Sequence, residues 1–289
     1  MSTETLRNGH LSASGLTDNK PDKPQPVSET LESYYQKHES LKGISAPVIR
    51  KAWFTMAHLL VAPGSIVADM GCQPEMTYTM AALNPRINFI GVDNNRQLVA
   101  NARKNFIRPN LAFHLDDFTA PTGLEEGALD AVINSFNLHE IYSTKKYAER
   151  PVIQSLETHF SLLKQGGQMF IRDYAMLTPE EYVLLEMPDI ESKGEHIKDL
   201  SEADLLLWYA EHARPQGSKG GMGFFLEELP QRLPQTRLFR LPSKWAYEFV
   251  MRKDDRANLE TELSTEFTFF TQREYRKNLR ALGARVLYT

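Results

Sequence analysis

The stretch Ser65-Ile66-Val67-Ala68-Asp69-Met70-Gly71-Cys72-Gln73-Pro74-Glu75 constrains this chain more than any other. Apolar residues run into an acid and then a glycine turn, which is how the first strand of a doubly wound sheet delivers its loop to a nucleotide-like ligand. In the nucleoside-binding pattern D-x-G-x-G-x-G the second and third glycines fall at Gln73 and Glu75, so only Gly71 is kept. A side chain therefore stands where a ligand approaches bare backbone, and Pro74 brings no amide hydrogen to the loop. Cys72 reads as packing, since a lone thiol after a buried strand is usually a small core hydrophobe.

Beyond that strand the element types alternate. The spacing predicts a helix over Met76–Leu83, a strand over Asn88–Asp93, a helix over Gln97–Phe106 and a strand over Leu111–Leu115. A fourth strand, Leu129–Ser135, leads to a helix over 148–163, and after Gly166-Gly167 a fifth strand runs over Gln168–Asp173. This β-α-β-α order predicts an α/β fold with a doubly wound, mostly parallel sheet.

Residues 1–28 are polar, with almost nothing to bury, and read as a disordered tail. From 29 to 62 the apolar residues fall at helical spacing and predict two helices, ended by Val61-Ala62-Pro63-Gly64-Ser65. Net charge is -4, which lacks the electrostatic footprint of a protein that grips a phosphate backbone, so nucleic acid is not the expected partner. A single cysteine excludes an intrachain disulfide framework and fits a reducing compartment. With no signal-like N-terminus and no 18-residue apolar run, the expected location is the cytoplasm, with no membrane partner.

Five segments taken in order, Val-Ala-Asp-Met-Gly-Cys, Phe-Ile-Gly-Val-Asp, His-Leu-Asp-Asp-Phe, Leu-Asp-Ala-Val-Ile-Asn-Ser-Phe-Asn-Leu-His-Glu-Ile and Leu-Leu-Lys-Gln-Gly-Gly-Gln-Met-Phe-Ile-Arg-Asp, resemble class I S-adenosylmethionine-dependent methyltransferases. The resemblance spans residues 60–175, with the cofactor-binding core expected over 63–175. It implies S-adenosyl-L-methionine as cofactor and methyl transfer to a small-molecule or other non-nucleic acceptor.

The resemblance also implies a set of binding residues. Asp93, at the end of the second strand, is placed to take both ribose hydroxyls on one fixed anion; its alternative reading is an acid that opens the turn Asp93-Asn94-Asn95 and caps the next helix. Asp69 is implied near the methionine amino group and otherwise reads as a turn residue. Gly71 supplies the close approach, Asp117 or its neighbour Asp116 accepts from the adenine amino group beside Phe118, and Asn134 joins the cofactor set. Enzymes that methylate bases or glutamine carry two prolines after the fourth strand. Here Asn134-Ser135-Phe136-Asn137 has none, and the next run, Leu138-His139-Glu140, resembles that of small-molecule methyltransferases. That implies a general base at His139, although a histidine bonded at a helix start accounts for the residue equally well. No metal site is expected.

After the fifth strand, residues 176–270 form an insertion far longer than an ordinary connection, expected to cap the site. Within it Pro179–Glu186 and Ser201–Glu211 read as helical, Lys219–Phe225 as a mobile loop, and 244–250 and 262–271 as strands or extended structure. Tyr209, Trp245 and Tyr247 either line a substrate pocket or build the insertion's own small core. A closing helix over 272–282 and a strand over 285–288 complete the segment 271–289. The chain reaches Thr289 just after what would be the penultimate strand, which reads as a shortened version of a longer protein whose exposed strand edge invites a homodimer. Two further function classes stand beside methyl transfer. One is a catalytically inactive binding or regulatory protein on the same scaffold, favoured by the degenerate loop and by Glu75 near the cofactor's carboxylate. The other, a nicotinamide oxidoreductase, is disfavoured because the turn lacks the spacing for a pyrophosphate.

Overall fold

The computed structural model describes residues 41–176, 181–190, 194, 196–214 and 222–289. The tail expected over 1–28 and the first of the two expected N-terminal helices lie outside the described residues. The second helix is α1, Ala46–Ala57.

A five-stranded parallel sheet comes next, built from β1 (Ile66–Met70), β2 (Asn88–Asp93), β3 (Leu111–Leu115), β4 (Leu129–Ser135) and β5 (Leu163–Arg172), in the spatial order β3-β2-β1-β4-β5. Helices α2 (Pro74–Leu83), α3 (Arg96–Asn105), α4 (Leu138–Thr144) and α5 (Glu149–Ser161) connect the strands. Strand residues alternate between two cores, as a two-unit side-chain period requires. Val67, Phe89, Ala131, Ile133 and Phe170 pack with Met76 and Met80 of α2 and Ala52 of α1. Ala68, Met70, Val92, Leu129 and Val132 face the opposite layer. Burial on both faces of β1 and β4 explains why these two strands read as near-continuous apolar runs. The order of connections reverses between β1 and β4, so the loops leaving these two strands splay apart and open a crevice at their carboxyl ends.

β5 begins before Gly166-Gly167 rather than after it. Leu163 pairs with Leu129 and Gln168 with Ala131, and the residues between them bulge out of the ladder, with Gly166 at φ 80°.

Residues 181–252 hold an antiparallel sheet in the order β6-β8-β7, from β6 (Tyr182–Pro188), β7 (Glu227–Leu229) and β8 (Thr236–Pro242), packed by α6 (Glu202–His212) and α7 (Ser243–Arg252). Ser201 caps α6 by accepting from the Asp204 amide at 3.0 Å, as expected. Three expectations for this region are corrected. Residues 182–186 are strand, not helix, because Tyr182 to Pro188 find their ladder partners in Thr236 to Pro242, far along the chain. Residues 244–250 are helix, not strand: Trp245, Ala246, Phe249 and Arg252 are buried at helical spacing, and that tertiary demand overrides local aromatic β-propensity. Residues 262–270 form turns and irregular chain, because the Phe267 and Thr268 amides donate to the Glu248 carboxylate instead of a neighbouring strand. Tyr209 and Trp245 belong to the core of the insertion itself, with Phe239, Leu241 and Phe249. Most of the expected loop over 219–225 lies outside the described residues.

The last helix, α8 (Gln272–Ala281), carries a capping box between Thr271 and Glu274. Residues 285–288 form no strand. They are held by side chains, the Tyr288 hydroxyl donating to the His58 carbonyl at 3.0 Å and Arg276 to the Thr289 hydroxyl. The strand edge on which the expected homodimer rested is therefore absent. Among the described residues no helix is long and apolar enough to cross a membrane.

Candidate functional site

The crevice gathers residues by register. Asp69 stands between Gly91 of β2 and Ile133 of β4, and Met70 is paired with Asn134. Gly71 then turns with φ 59°, and a Cβ there would lie 3.1 Å from the Asn137 Cβ and 3.4 Å from the Phe118 ring. Both the left-handed backbone and the close approach require glycine. Asp69 is buried and accepts from the Thr77 hydroxyl at 2.6 Å. Burial pushes its carboxyl up to about 7; the Thr77 bond pulls down against this and the Asp93 charge adds to it. Cys72 packs with Val99, Ala102 and Phe113, and burial pushes its thiol far above its ordinary range. It is inert core, as the sequence suggests.

Asp93 accepts the Asn95 amide on Oδ1 at 2.7 Å and so opens the turn after β2. The helix cap is Asn95, whose side chain accepts from the amides of Gln97 and Leu98. Half-burial raises the Asp93 carboxyl, and its Oδ2 has no partner among the described residues. After β3, Asp116 is occupied within its own loop, accepting from the amides of Asp117, Thr122 and Gly123. Among the described residues Asp117 accepts only from Thr119, through Oδ1. The Phe118 ring points at Gly71, while its carbonyl bonds the His159 ring at 2.6 Å.

Leaving β4, Asn134 is fully buried; its Oδ1 accepts from Asn137, whose Nδ2 also donates to the Met70 carbonyl. Asn134 Nδ2 and Asn137 Oδ1 are buried without a partner. Native interiors rarely leave such atoms orphaned without a ligand or water to meet them. Phe136, between them, sits at φ 56°, an outlier for a bulky side chain.

His139 lies in the first turn of α4, and its Nδ1 is 2.7 Å from Oδ1 of Asp173. Asp173 Oδ2 accepts from the amides of Leu138 and His139, at 2.8 and 3.2 Å. One buried carboxylate thus caps the helix and orients the ring. Because Asp173 accepts, Nδ1 is the donor in this pair, and in the neutral ring that tautomer presents Nε2 as the acceptor. The ring is flanked edge-on by Tyr174 and Phe267, with centroids 5.5 and 5.4 Å away. Phe267 is fixed from the insertion, where the buried Glu248 holds the Phe267 and Thr268 amides, the Thr268 hydroxyl and Arg252. A cleft of about 390 Å³ opens beside His139 between α4 and this segment, lined by Glu140, Ser143, Tyr147, Thr265 and Phe267.

The structure thus brings Asp69, Gly71, Asp93, Asn134 and His139 to the carboxyl ends of the strands, with Asp117 on the loop after β3. Sequence reasoning misses Asp173, Asn137 and Glu248. Asp173 carries a signal, as an acid directly after the strand run Phe-Ile-Arg; Glu248 carries none, since only the tertiary fold places it under Phe267.

The chain matches one family of known proteins. A family model described as a methyltransferase domain matches residues 62–225, more than half of the chain. No curated protein matches. Among solved structures, a Haloferax volcanii protein taken to be a methyltransferase, in complex with the Trm112 activator, is 21% identical at a TM-score of 0.36, covering 52% of this chain and 57% of its own. A Bacillus halodurans protein likewise taken to be a methyltransferase is 10% identical, TM-score 0.41, covering 81% of this chain and 68% of that one. Human N-acetylserotonin methyltransferase, solved with S-adenosylmethionine, is 14% identical, TM-score 0.39, covering 90% of this chain and 49% of that one. This chain therefore spans little more than half of the Haloferax protein and about half of the human enzyme. On the family match, with the five-stranded parallel sheet and its crevice, the chain belongs to the class I S-adenosylmethionine-dependent methyltransferases.

Proposed function

We propose that this protein binds S-adenosyl-L-methionine in the crevice between β1 and β4 and methylates a hydroxyl or acid group of a small, non-nucleic acceptor. The observation that carries the reading is the His139–Asp173 pair, set at the carboxyl end of the sheet with Nδ1 protonated and Nε2 free of any hydrogen bond among the described residues.

The residues present fit the cofactor on three observations. Asn134 Nδ2 and Asn137 Oδ1 are orphaned beside Gly71. Asp93 keeps one carboxylate oxygen unpartnered at the end of β2, where a ribose diol would lie. Asp117 keeps one as well, beside the Phe118 ring. When bound, the cofactor supplies an electrophilic methyl group on a sulfonium. Asp93 would hold the ribose, Gly71 would permit backbone approach, Asp117 would accept from the adenine amino group, and Asn134 and Asp69 would complete the set, Asp69 toward the methionine amino group. His139 Nε2 takes the acceptor's proton, while Asp173 keeps the ring oriented and steadies the charge that develops on it. The chain's remaining contribution is in-line positioning. The net charge of -4 supports an acceptor other than nucleic acid.

Calorimetric titration with S-adenosylmethionine and S-adenosylhomocysteine tests the reading, with Asp93→Ala as control. Micromolar binding that the substitution abolishes is expected. A second reading, an inactive binding protein on this scaffold, is favoured by one feature. Pro74 opens α2 without an amide hydrogen, and Gln73 makes no side-chain cap. Absence of binding up to roughly millimolar concentration selects it.

A further inference from the structure

The proposed methyl transfer leaves two cations unused. Arg172, the last residue of β5, lies with its guanidinium 4.6 Å from the Phe136 ring centroid and 5.7 Å from that of Phe54 in α1. Lys51, also in α1, has its ammonium 5.8 Å from the same Phe136 ring. Among the described residues neither cation has a carboxylate partner, and none of the Arg172 side-chain donors makes a hydrogen bond. Burial works against the Arg172 charge, and the one group that supports it is the Tyr174 phenol, not a carboxylate. Two aromatic rings hold a planar fork of donors in place with nothing for it to grip.

The surroundings indicate what it grips. Phe136, the ring that both cations share, is the strained residue of the β4 loop. Its other neighbour is Tyr174 at 5.3 Å, and Tyr174 in turn meets His139 at 5.5 Å and stacks on Phe267 at 4.7 Å. A continuous aromatic wall therefore runs from the two cations to the candidate base. Strained backbone clusters at ligand sites, where the surrounding structure over-determines it. The cations also stand apart from the ends of β1 and β2, where Gly71 and Asp93 lie. β5 is two strands from β1 and three from β2, so at about 4.8 Å per strand Arg172 stands on the order of 10 Å from the end of β1.

We infer that Arg172 and Lys51 bind a carboxylate carried by the methyl acceptor, which lies along the Phe136–Tyr174 wall with its reacting group at His139. The inference rests on the proposed methyl transfer for the word acceptor; the carboxylate site itself stands independently of it. A guanidinium fork meets a carboxylate bidentately, and the ammonium adds a second point charge.

The test is ligand-observed NMR titration of the full chain with benzoate and with its neutral isostere benzamide, each with and without saturating S-adenosylhomocysteine. It uses the wild type and the variants Arg172→Gln, Arg172→Lys and Lys51→Gln, with thermal midpoints checking that each folds. Expected results are benzoate binding with the adenosyl ligand present, benzamide at least about tenfold weaker, and loss of about tenfold or more in Arg172→Gln. Arg172→Lys, which keeps charge but not the fork, should lose a smaller factor, as should Lys51→Gln. Equal binding of the two probes, unchanged benzoate affinity in Arg172→Gln, or no benzoate binding up to roughly 10 mM overturns the inference. So does displacement of benzoate by S-adenosylhomocysteine together with tenfold weaker binding of that ligand in Arg172→Gln, which would hand the cations to the cofactor's own carboxylate. Benzoate binding that depends on Arg172, with no adenosyl ligand bound at all, sinks the methyl-transfer reading and leaves the carboxylate site.

Discussion

Replacing Asp69 by Asn should change the pH dependence of stability more than its value at any one pH. The folded carboxyl titrates at about 7 against an ordinary value of 3.8, chiefly because it is buried. Between those values the folded state holds a proton that the unfolded state has released. Stability is therefore fully present below pH 3.8 and is lost as pH rises through 7. The gap corresponds to about 4 kcal/mol at about 1.36 kcal/mol per tenfold. Asn has nearly the same shape, still accepts from the Thr77 hydroxyl and never ionises. Its Nδ2 needs an acceptor, and if none is found the cost of about 1–3 kcal/mol applies equally at every pH. The measurement is urea unfolding of ligand-free protein at several pH values between about 4 and 8. The free-energy difference, variant minus wild type, should rise by about 4 kcal/mol across that range. His159 titrates in the same window in the opposite sense, because burial lowers its ring to about 4; it is common to both proteins and cancels. A difference that does not move with pH refutes the assignment of a buried, protonated Asp69.

Three other substitutions probe the same geometry. Gly71→Ala forces a Cβ into φ 59° and against Asn137, so it should lower stability by about 1–2 kcal/mol and weaken adenosyl-ligand binding in calorimetry. Asp173→Asn can still accept both α4 amides on its remaining oxygen but turns a donor toward His139 Nδ1; turnover on an identified acceptor should fall by about 10²–10⁴ with S-adenosylhomocysteine affinity nearly unchanged, and equal loss of both would show a purely structural role. Glu248→Ala leaves Arg252, 2% exposed, as an uncompensated buried charge and frees the Phe267 and Thr268 amides. Denaturant unfolding should register a loss of about 3–5 kcal/mol, and amide exchange should quicken over 264–270.

Legibility in the sequence differs by region. From Ile66 to Ser135 the strands fall where the apolar runs place them, because strands buried on both faces advertise themselves in one-dimensional text. The same holds for Ser201 and Thr271, whose capping bonds are made within three residues. The insertion misleads at 182–186, 244–250 and 262–271, in each case because the deciding partner lies far along the chain. β6 pairs with β8, Trp245 and Phe249 pack into a core shared with Tyr209, and Glu248 supplies hydrogen bonds that a strand would otherwise have found.

The candidate site divides along the same line. By itself the sequence determined the parallel sheet and the placement of Asp69, Gly71, Asp93, Asn134 and His139 at or just after the ends of their strands. These depend on local periodicity and on residues at strand ends, whose position the sheet topology dictates. Only the tertiary structure decided which of these groups are engaged and which are poised. Burial beneath Thr77 raises the Asp69 carboxyl to about 7, Asp116 is spent on its own loop, and His139 is paired to Asp173, just past β5 and 34 positions on. Tertiary structure likewise left Arg172 and Lys51 facing an aromatic wall with no acid to meet them among the described residues. Burial, hydrogen-bond partnership and the charge state they impose are properties of neighbours in space, and in this chain those neighbours are distant in sequence.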